Sequence, residues 1–295
     1  MRLLVTGAGG QLGLALRAIE RPGLAIVGKT RGDLDIADAS AIARAIEETR
    51  PDLVVNAAAY ANVDGAETDS VGAYRGNEEG PLRLALAAAD AGIPLIHVST
   101  DFVFDGTASR PYLPADATAP LNVYGASKLA GEVAVLGADP SALVIRTSWL
   151  YRLGSRNFVT TILRLLREKG KVSVIADQRG SPTSAASLAE LIASAATRKA
   201  GGGGLSGIRH FADGGETTRY DFALAIRDEA VAAGLLDASV SVEPVMSSGQ
   251  RAAVRRPAYS VLDSSEICSE LGFKQMPWRQ ALARSFHEDR RLLPF

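Results

Sequence analysis

A glycine-rich turn stands at the start of the chain, between an apolar segment and a helical one. Residues 3–6 are predicted to form a buried strand and residues 11–19 a helix, with Gly7, Gly10 and Gly13 between them. This order is typical of a dinucleotide-binding unit, in which glycines allow a tight turn, close approach of a pyrophosphate and close packing of helix on strand. The helix N-terminus then offers N–H groups and a partial positive charge to phosphates. The turn therefore favours an α/β fold.

The remainder of the first half repeats this alternation of apolar strands and helices. Strands are predicted at residues 24–27, 53–58, 95–99 and 143–147, and helices at 39–49, 76–91 and 123–136. The alternation predicts an α/β, Rossmann-like, doubly wound parallel sheet covered on both faces.

The regular alternation of strands and helices ends after Ser148. Helices are predicted at 158–168, 187–196, 220–233, 264–271 and 280–291, with a strand at 172–175. We expect a dinucleotide-binding domain over residues 1–150, with 176–200 returning to it. Residues 151–175 and 201–295 should form a smaller α/β substrate-binding cap.

Composition excludes several classes of partner. A net charge of −1 gives no electrostatic reason to expect nucleic acid or an anionic membrane, and no run approaches the roughly 18 apolar residues of a membrane span. Basic residues nevertheless cluster at 251–256, where they could hold a phosphorylated ligand. The single cysteine, Cys268, excludes an intrachain disulfide and favours the cytoplasm. The three histidines lack metal-ligand spacing, so no metal is expected.

The segment after the second predicted strand bears on the cofactor. NAD-preferring sites usually place an acid there to bind the adenosine ribose, whereas this chain supplies two cations, Lys29 and Arg31. They favour the 2′-phosphate of NADPH; a solvated basic turn is the alternative, and NADH stays possible. Asp35 and Ile36 follow at positions that could flank the adenine ring. Gln11 and Leu12 complete the expected contacts of the glycine turn.

A tyrosine and a lysine stand one helical turn apart in the predicted helix at 123–136. Tyr124 and Lys128 occupy positions i and i+4 of one face, roughly 6 Å apart along the axis. A free tyrosine titrates near pH ~10, and a nearby cation lowers that pKa towards the range useful for proton transfer. The same ammonium could bind the nicotinamide ribose. The alternative is a tyrosine that simply packs on an aliphatic lysine stem.

A hydroxyl lies at the end of the strand predicted at 95–99. Ligands of doubly wound sheets bind outside the carboxyl ends of the strands, and Thr100 stands at that position. Its hydroxyl could bond the carbonyl oxygen that Tyr124 protonates, although a threonine at a strand end is often only a turn cap.

These features together resemble the extended short-chain dehydrogenase/reductase superfamily. Further motifs, over nearly the whole chain, resemble its dTDP-4-dehydrorhamnose reductases; they span residues 56–60, 63–67, 99–106, 119–125, 146–151, 177–183 and 256–262.

The resemblance implies reduction of the C4 ketone of a dTDP-linked keto-sugar, dTDP-4-dehydro-L-rhamnose, by NADPH. Tyr124 would donate the proton, Lys128 would lower the pKa of Tyr124 and bind the cofactor ribose, and Thr100 would orient the ketone. Further residues are implied in the pockets, namely Asp101, Phe102 and Trp149 for the substrate and Ala57, Ala58 and Ala59 for the cofactor.

Two positions separate this chain from relatives in the superfamily. Nucleotide-sugar dehydratases resemble Ser-Thr-Asp-Glu at 99–102, but Phe102 cannot transfer a proton, so dehydration is not expected. Some reductases bridge a dimer through a metal held partly by the first helix, whose residues 14–18 carry no carboxylate here. Monomer and homodimer both stay open.

Two other functions also stay open: a non-catalytic dinucleotide-binding regulatory subunit, and a reductase of another nucleotide-linked deoxy keto-sugar.

Overall fold

Uninterrupted apolar runs form the central strands because helices cover both faces of the sheet. The computed structural model describes residues 1–249 and 254–293. Its strands are β1 (Arg2–Thr6), β2 (Ala25–Lys29), β3 (Leu53–Asn56), β4 (Leu95–Thr100), β5 (Leu143–Thr147), β6 (Leu150–Tyr151), β7 (Lys171–Ile175), β8 (Arg179–Gly180), β9 (Thr183–Ser184), β10 (Gly207–His210), β11 (Thr217–Thr218) and β12 (Ser241–Val245). Its α-helices are α1 (Gln11–Arg17), α2 (Ala39–Thr49), α3 (Val63–Ala66), α4 (Ser70–Tyr74), α5 (Gly80–Asp90), α6 (Val123–Ala138), α7 (Phe158–Lys169), α8 (Ala185–Ala200), α9 (Arg219–Ala232), α10 (Ser265–Leu271) and α11 (Trp278–Asp289).

Six of these strands form one parallel sheet in the order β10-β5-β4-β3-β1-β2. The chain leaves β1 for β2 on one side and returns to β3 on the other, so the strand order reverses between β1 and β3. Ligands of doubly wound sheets bind at such a reversal. The predicted α/β, doubly wound fold is confirmed, and the glycine turn after β1 lies at the expected binding edge.

Alternate residues of β1 serve two separate cores. Leu3 and Val5 pack with α1 and α8 on one face of the sheet, and Leu4 packs with α2, α5 and α6 on the other. This alternation explains why three consecutive apolar residues are needed in a strand that is covered on both sides. No helix within the two described ranges is both long and apolar enough to cross a membrane.

A third core lies outside the sheet. Helices α7, α9 and α11 enclose it together with the parallel pair β7–β12, and Phe222 and Phe286 lie at its centre. The edge strand β10 extends the main sheet beside β5, and Ile267 of α10 packs into a core of that sheet. Residues 207–210 and 265–271 therefore lie with the sheet, not with the cap to which 201–295 was assigned. Only one residue of β10, Ile208, is apolar and aliphatic, so the sequence gives little sign of a sheet strand. We propose the two-domain division with these segments moved.

The helix predicted over residues 76–91 begins as a π-helix, Arg75–Glu79, before α5. The wide turn carries Asn77, which is fully buried. Its amide donates hydrogen bonds to the Tyr60 carbonyl oxygen at 3.1 Å and the Ser127 hydroxyl at 2.9 Å, and its Oδ1 accepts from the Tyr60 N–H at 2.8 Å. π-turns are frequent at functional sites, and this one joins the loop after β3 to α6.

Helix α6 lies in backbone contact with its neighbours at two glycines. A Cβ atom on Gly125 would stand 2.2 Å from the Phe102 carbonyl oxygen, and one on Gly131 would stand 1.9 Å from the Asn77 carbonyl oxygen. Gly137, on the same helix, has no atom within 4 Å of its Cβ position. Gly125 therefore sets how closely α6 approaches the turn after β4, and Gly131 sets how closely it approaches the π-helix.

We predict opposite effects of alanine at two positions of α6. Gly125→Ala should lower the free energy of unfolding by about 1–3 kcal/mol, because backbone must move to admit the methyl group. Gly137→Ala, the matched control, should raise that free energy by about 0.4–1 kcal/mol through the loss of unfolded-state entropy. Urea denaturation measures both values. A Gly125→Ala variant as stable as the wild type would contradict the close contact.

Candidate functional site

The glycine turn combines two packing glycines with an open backbone. Gly7 has φ +65°, and a Cβ there would lie 2.6 Å from the Ala57 carbonyl oxygen. A Cβ on Gly13 would lie 2.4 Å from the Gly7 carbonyl oxygen. No side chain caps the first turn of α1 at Gly10. The backbone at the turn is therefore exposed to a ligand, as a pyrophosphate site requires.

A cavity of about 390 Å³ begins at this turn. Its lining comes from the glycine turn, the segment after β2, the loop after β3 and the α4–π-helix region: Gly7, Gly9, Gly10, Thr30, Arg31, Leu34, Asp35, Ile36, Ala57, Ala58, Ala59, Tyr60, Asp69, Gly72, Arg75 and Gly76. Glycine backbone for phosphates, apolar Leu34 and Ile36 for a flat base, and a cation at Arg31 fit the adenosine half of a dinucleotide.

The two predicted cations have different positions. Arg31 lines the cavity, whereas Lys29 does not and its ammonium stands 3.5 Å from Glu48. As side chains alternate along a strand, the last residue of β2 directs its ammonium to α2 instead of the cavity. Arg31 is thus the cation available to a 2′-phosphate.

Arg75 is a cavity residue that the sequence reasoning missed. Its guanidinium bonds Asp35 at 2.7 Å, and the Ala37 N–H together with Arg75 lowers the pKa of that carboxyl group. Arg75 lies 40 residues from Asp35, so no local motif could reveal the pair.

Two residues expected to touch the cofactor hold the protein together through their side chains. Gln11 Oε1 accepts hydrogen bonds from the Arg152 N–H at 3.0 Å and from Asn157 Nδ2 at 2.7 Å, and so fastens α1 to the segment after β6. Leu12 is buried in the core beneath α1. Their side chains do not line the cavity, which leaves only their backbone for a phosphate.

Tyr124 and Lys128 lie together on α6 above the end of β4. The Lys128 ammonium donates a hydrogen bond to the Val98 carbonyl oxygen at 2.7 Å. Burial lowers the pKa of Lys128 to about 8, and the charge of Glu132 one turn further along opposes that shift.

The pKa of Tyr124 differs from the expectation. Burial raises it to about 12, the charge of Asp101 adds to the rise, and the neighbouring Thr100 hydroxyl opposes it. Lys128 does not lower it as the spacing suggested, because the ammonium is directed to the strand backbone. Tyr124 therefore keeps its proton at neutral pH, which is the form that a proton donor requires.

The end of β4 presents a hydroxyl and a carboxylate side by side. Thr100 Oγ1 donates to Asp101 Oδ1 at 3.1 Å and accepts the Phe102 N–H at 3.2 Å, so Thr100 caps the turn as well as facing Tyr124. Asp101 Oδ2 is buried and has no hydrogen-bond partner among the described residues. Burial raises the pKa of Asp101 to about 6. An unpaired buried acceptor of this kind suits a hydroxyl group of a ligand.

Two aromatic side chains follow the neighbouring strands β4 and β5. The Phe102 ring meets the Tyr124 ring edge to face, with centroids 5.5 Å apart, and fixes that ring from the side. Trp149 has a left-handed backbone, φ +46°, and a Cβ on Gly180 would lie 2.5 Å from its indole. The structure thus brings Thr100, Asp101 and Phe102 next to Tyr124, with Trp149 supplied by the chain after β5.

A buried ion pair beneath the site escaped the sequence reasoning. Arg146 on β5 bonds Glu132 on α6 at 2.6 Å, and both side chains are almost fully buried. The Ser99 hydroxyl on β4 donates to the same carboxylate. Charges of residues 14 positions apart give no periodic signal, so only the fold reveals that they meet.

Of the basic cluster at 251–256, Arg255 and Arg256 lie within the described residues and Arg251 lies outside them. The Asn122 amide donates to the Arg255 carbonyl oxygen at 2.8 Å, and Arg256 pairs with Asp64 at 2.7 Å. The described part of the chain contains no group of three or more histidine, cysteine, aspartate or glutamate residues arranged for a metal ion.

Proteins of known name resemble this chain in sequence and in fold over nearly its whole length. The family model described as RmlD substrate binding domain matches residues 1–291. A dTDP-4-dehydrorhamnose reductase of Mycobacterium tuberculosis is 43% identical over 289 residues, covering 96% of this chain and 91% of the relative. One of Burkholderia thailandensis is 39% identical, covering 96% and 97%. The crystal structure of a dTDP-4-dehydrorhamnose reductase of Bacillus anthracis in complex with NADP has a TM-score of 0.89 and 36% identity, covering 97% and 99%.

The positions of Arg31 and Lys29 predict which cation selects the cofactor. Arg31→Ala should weaken NADPH binding about twofold to fivefold, the range of an exposed charge pair, and leave NADH binding unchanged. Lys29→Ala, the matched control, should change neither. Fluorescence titration with each dinucleotide gives the dissociation constants. Equal losses for NADPH and NADH in the Arg31 variant would show that Arg31 does not meet a 2′-phosphate.

Proposed function

The chain belongs to the RmlD substrate binding domain family, and we propose that it reduces the C4 ketone of dTDP-4-dehydro-L-rhamnose to dTDP-L-rhamnose with NADPH. The resemblance noted in the sequence is thereby confirmed. The observation that carries the proposal is the placement of a protonated Tyr124 beside Thr100 and Lys128 at the carboxyl end of β4, on the edge that also holds the dinucleotide cavity.

The protein's own part in the reaction is to orient a ketone and supply one proton. NADPH, when bound, supplies the hydride. Thr100 and Tyr124 would both donate hydrogen bonds to the ketone oxygen, and the Tyr124 proton moves to that oxygen as negative charge develops on it. The Lys128 ammonium, held at the strand by the Val98 carbonyl oxygen, would bind the ribose hydroxyls of the cofactor. The free oxygen of Asp101 would accept a hydrogen bond from a sugar hydroxyl.

The cofactor would be held by the residues that line the cavity. The backbone from Gly7 to Gly10 suits the pyrophosphate, and Arg31 suits the 2′-phosphate. The loop residues Ala57, Ala58 and Ala59 follow β3 at the reversal of strand order and would pack on the dinucleotide.

The competing functions make different demands on the site. A dehydratase needs a second proton-transferring group, and Phe102 occupies that position with its ring against Tyr124. A regulatory subunit that only binds dinucleotide would have no need of Thr100, Tyr124 and Lys128 in this arrangement. A reductase of another nucleotide-linked deoxy keto-sugar would use the same residues, and substrate comparison distinguishes it.

The setting in which the enzyme works is also a proposal. One cysteine supports a cytoplasmic location, and a net charge of −1 supports a protein that does not bind nucleic acid. We propose a monomer or a homodimer that needs no metal, since residues 14–18, at the end of α1, offer no carboxylate to a shared ion.

Removal of one hydroxyl tests the role of Tyr124. Tyr124→Phe should lower turnover roughly 10²–10⁴-fold, the usual contribution of general acid catalysis, while NADPH still binds. Tyr74→Phe, at an exposed tyrosine, serves as the control and should retain full turnover. Steady-state NADPH oxidation measures both. Comparable turnover in the Tyr124 variant and the wild type would remove the residue from the mechanism.

The pH dependence of kcat/KM should show two limbs. Below about pH 6 Asp101 takes up a proton and ceases to be a pure acceptor, and above about pH 8 Lys128 loses its charge, so activity should fall on both sides. Asp101→Asn should lower the plateau and abolish the acidic limb. Initial rates at saturating NADPH across this interval measure the profile. A flat profile beyond both values would contradict these assignments.

A further inference from the structure

The guanidinium of Arg219 lies between two aromatic rings at the first position of α9. Its carbon stands 3.6 Å from the centroid of the Trp149 ring and 5.0 Å from that of Phe158. The backbone N–H of Arg219 donates to the Gln178 carbonyl oxygen at 3.1 Å, which ties the start of the helix to the β8 segment. The plane of the guanidinium is therefore set by packing before any ligand binds.

This guanidinium has no hydrogen-bond acceptor in the described part of the chain. None of its N–H groups donates to a carbonyl oxygen or carboxylate there, whereas the fully buried Arg146 makes three hydrogen bonds to Glu132. Burial lowers the pKa of Arg219 to about 9, with Asp101 opposing and Arg256 adding to the shift. Even so, it is charged at neutral pH. The side chain is partly buried, so an anionic ligand that reaches it from solvent would meet N–H donors that no described protein group already occupies.

The residues around Arg219 indicate which anion it would bind. Asp101, whose charge acts on Arg219, follows Thr100 directly in the chain and forms the floor of the ketone site. The second cation, Arg256, adds positive charge near Arg219 and is already paired with Asp64. Going outward from Tyr124, the site thus offers a proton donor, an acceptor for a hydroxyl and then positive charge. A keto-sugar joined to a diphosphate presents matching groups in the same order: a ketone oxygen, a hydroxyl group and then negative charge.

We propose that Arg219 binds the diphosphate of the nucleotide sugar, with Trp149 acting as the positioning residue that holds the guanidinium in place. The inference rests on the proposed function and adds a residue that the sequence motifs did not identify. A planar fork of donors suits two phosphate oxygens at once, which a lysine ammonium cannot match. The ring face that carries Arg219 is correspondingly closed to the nucleotide base, so Trp149 serves the phosphate end of the substrate.

Binding of nucleotide fragments to the enzyme saturated with NADP⁺ tests this assignment. The ligands are dTDP, dTMP and thymidine, measured by isothermal titration calorimetry. Arg219→Gln should weaken dTDP binding about tenfold to hundredfold, the range of hydrogen bonds to charged groups, and leave thymidine unchanged. Arg219→Lys should show an intermediate loss. Arg279→Gln is the matched control, because Arg279 also stands over a tryptophan, Trp278, but at an exposed position paired with Asp228.

Steady-state kinetics distinguish a role of Arg219 in substrate binding from a role in the chemical step. In Arg219→Gln the KM for the keto-sugar should rise by the same factor as the dissociation constant of dTDP, with kcat within about threefold of wild type. Unchanged dTDP affinity in both Arg219 variants would overturn the proposal, and so would a lost kcat at unchanged dTDP affinity, which would place Arg219 at the reaction centre. NADP⁺ affinity reports whether each variant is folded; should the glutamine variant lose it, the lysine variant decides.

The two proposals fail in different ways. In one outcome the wild type binds dTDP tightly and Arg219→Gln does not, but the wild type fails to oxidise NADPH with the keto-sugar. This outcome contradicts the proposed reaction and supports the diphosphate site. A wild type that turns over the keto-sugar while both variants bind dTDP normally contradicts the diphosphate site alone.

Discussion

The contact between α6 and the end of β4 determines the geometry of the whole site. Gly125 lies against the Phe102 carbonyl oxygen with no room for a methyl group, and this contact sets the distance between Tyr124 on the helix and Thr100 on the strand. Deeper in the protein, the buried pair of Glu132 and Arg146 joins the same helix to β5. Removing one partner of such a pair typically costs about 3–5 kcal/mol, because the other charge remains buried without compensation. Helix α6 is therefore fixed near the end of β4 by the Gly125 contact, and deeper in the protein by the Glu132–Arg146 pair.

Burial at this contact also decides the protonation states. The same enclosure raises the pKa of Tyr124 to about 12 and lowers that of Lys128 to about 8, and it raises that of Asp101 to about 6. Each shift follows from the cost of keeping a charge away from water. At neutral pH the site therefore offers a neutral proton donor, a cation beside it and a carboxylate acceptor, which is the combination that the reduction of a ketone requires.

Local patterns predicted the strands of the sheet well, and long-range pairs poorly. The glycine turn and the apolar runs predicted β1 to β5, since each depends on a few consecutive residues. The i, i+4 spacing of Tyr124 and Lys128 was sufficient to find them. By contrast, the Lys29–Glu48 pair, the Arg75–Asp35 pair and the position of Arg219 over Trp149 depend on which elements pack together. Edge strand β10 escaped detection because an edge strand needs no apolar run.

Reduction with deuterium-labelled NADPH tests the central claim most directly. The protein is incubated with enzymatically prepared dTDP-4-dehydro-L-rhamnose and NADPH that carries deuterium at the transferred position, and the product is analysed by nuclear magnetic resonance. The account predicts one product, dTDP-L-rhamnose, with deuterium at C4 of the sugar and one equivalent of NADPH oxidised. Absence of NADPH oxidation in a protein that still binds the dinucleotide would contradict the account and favour a regulatory subunit.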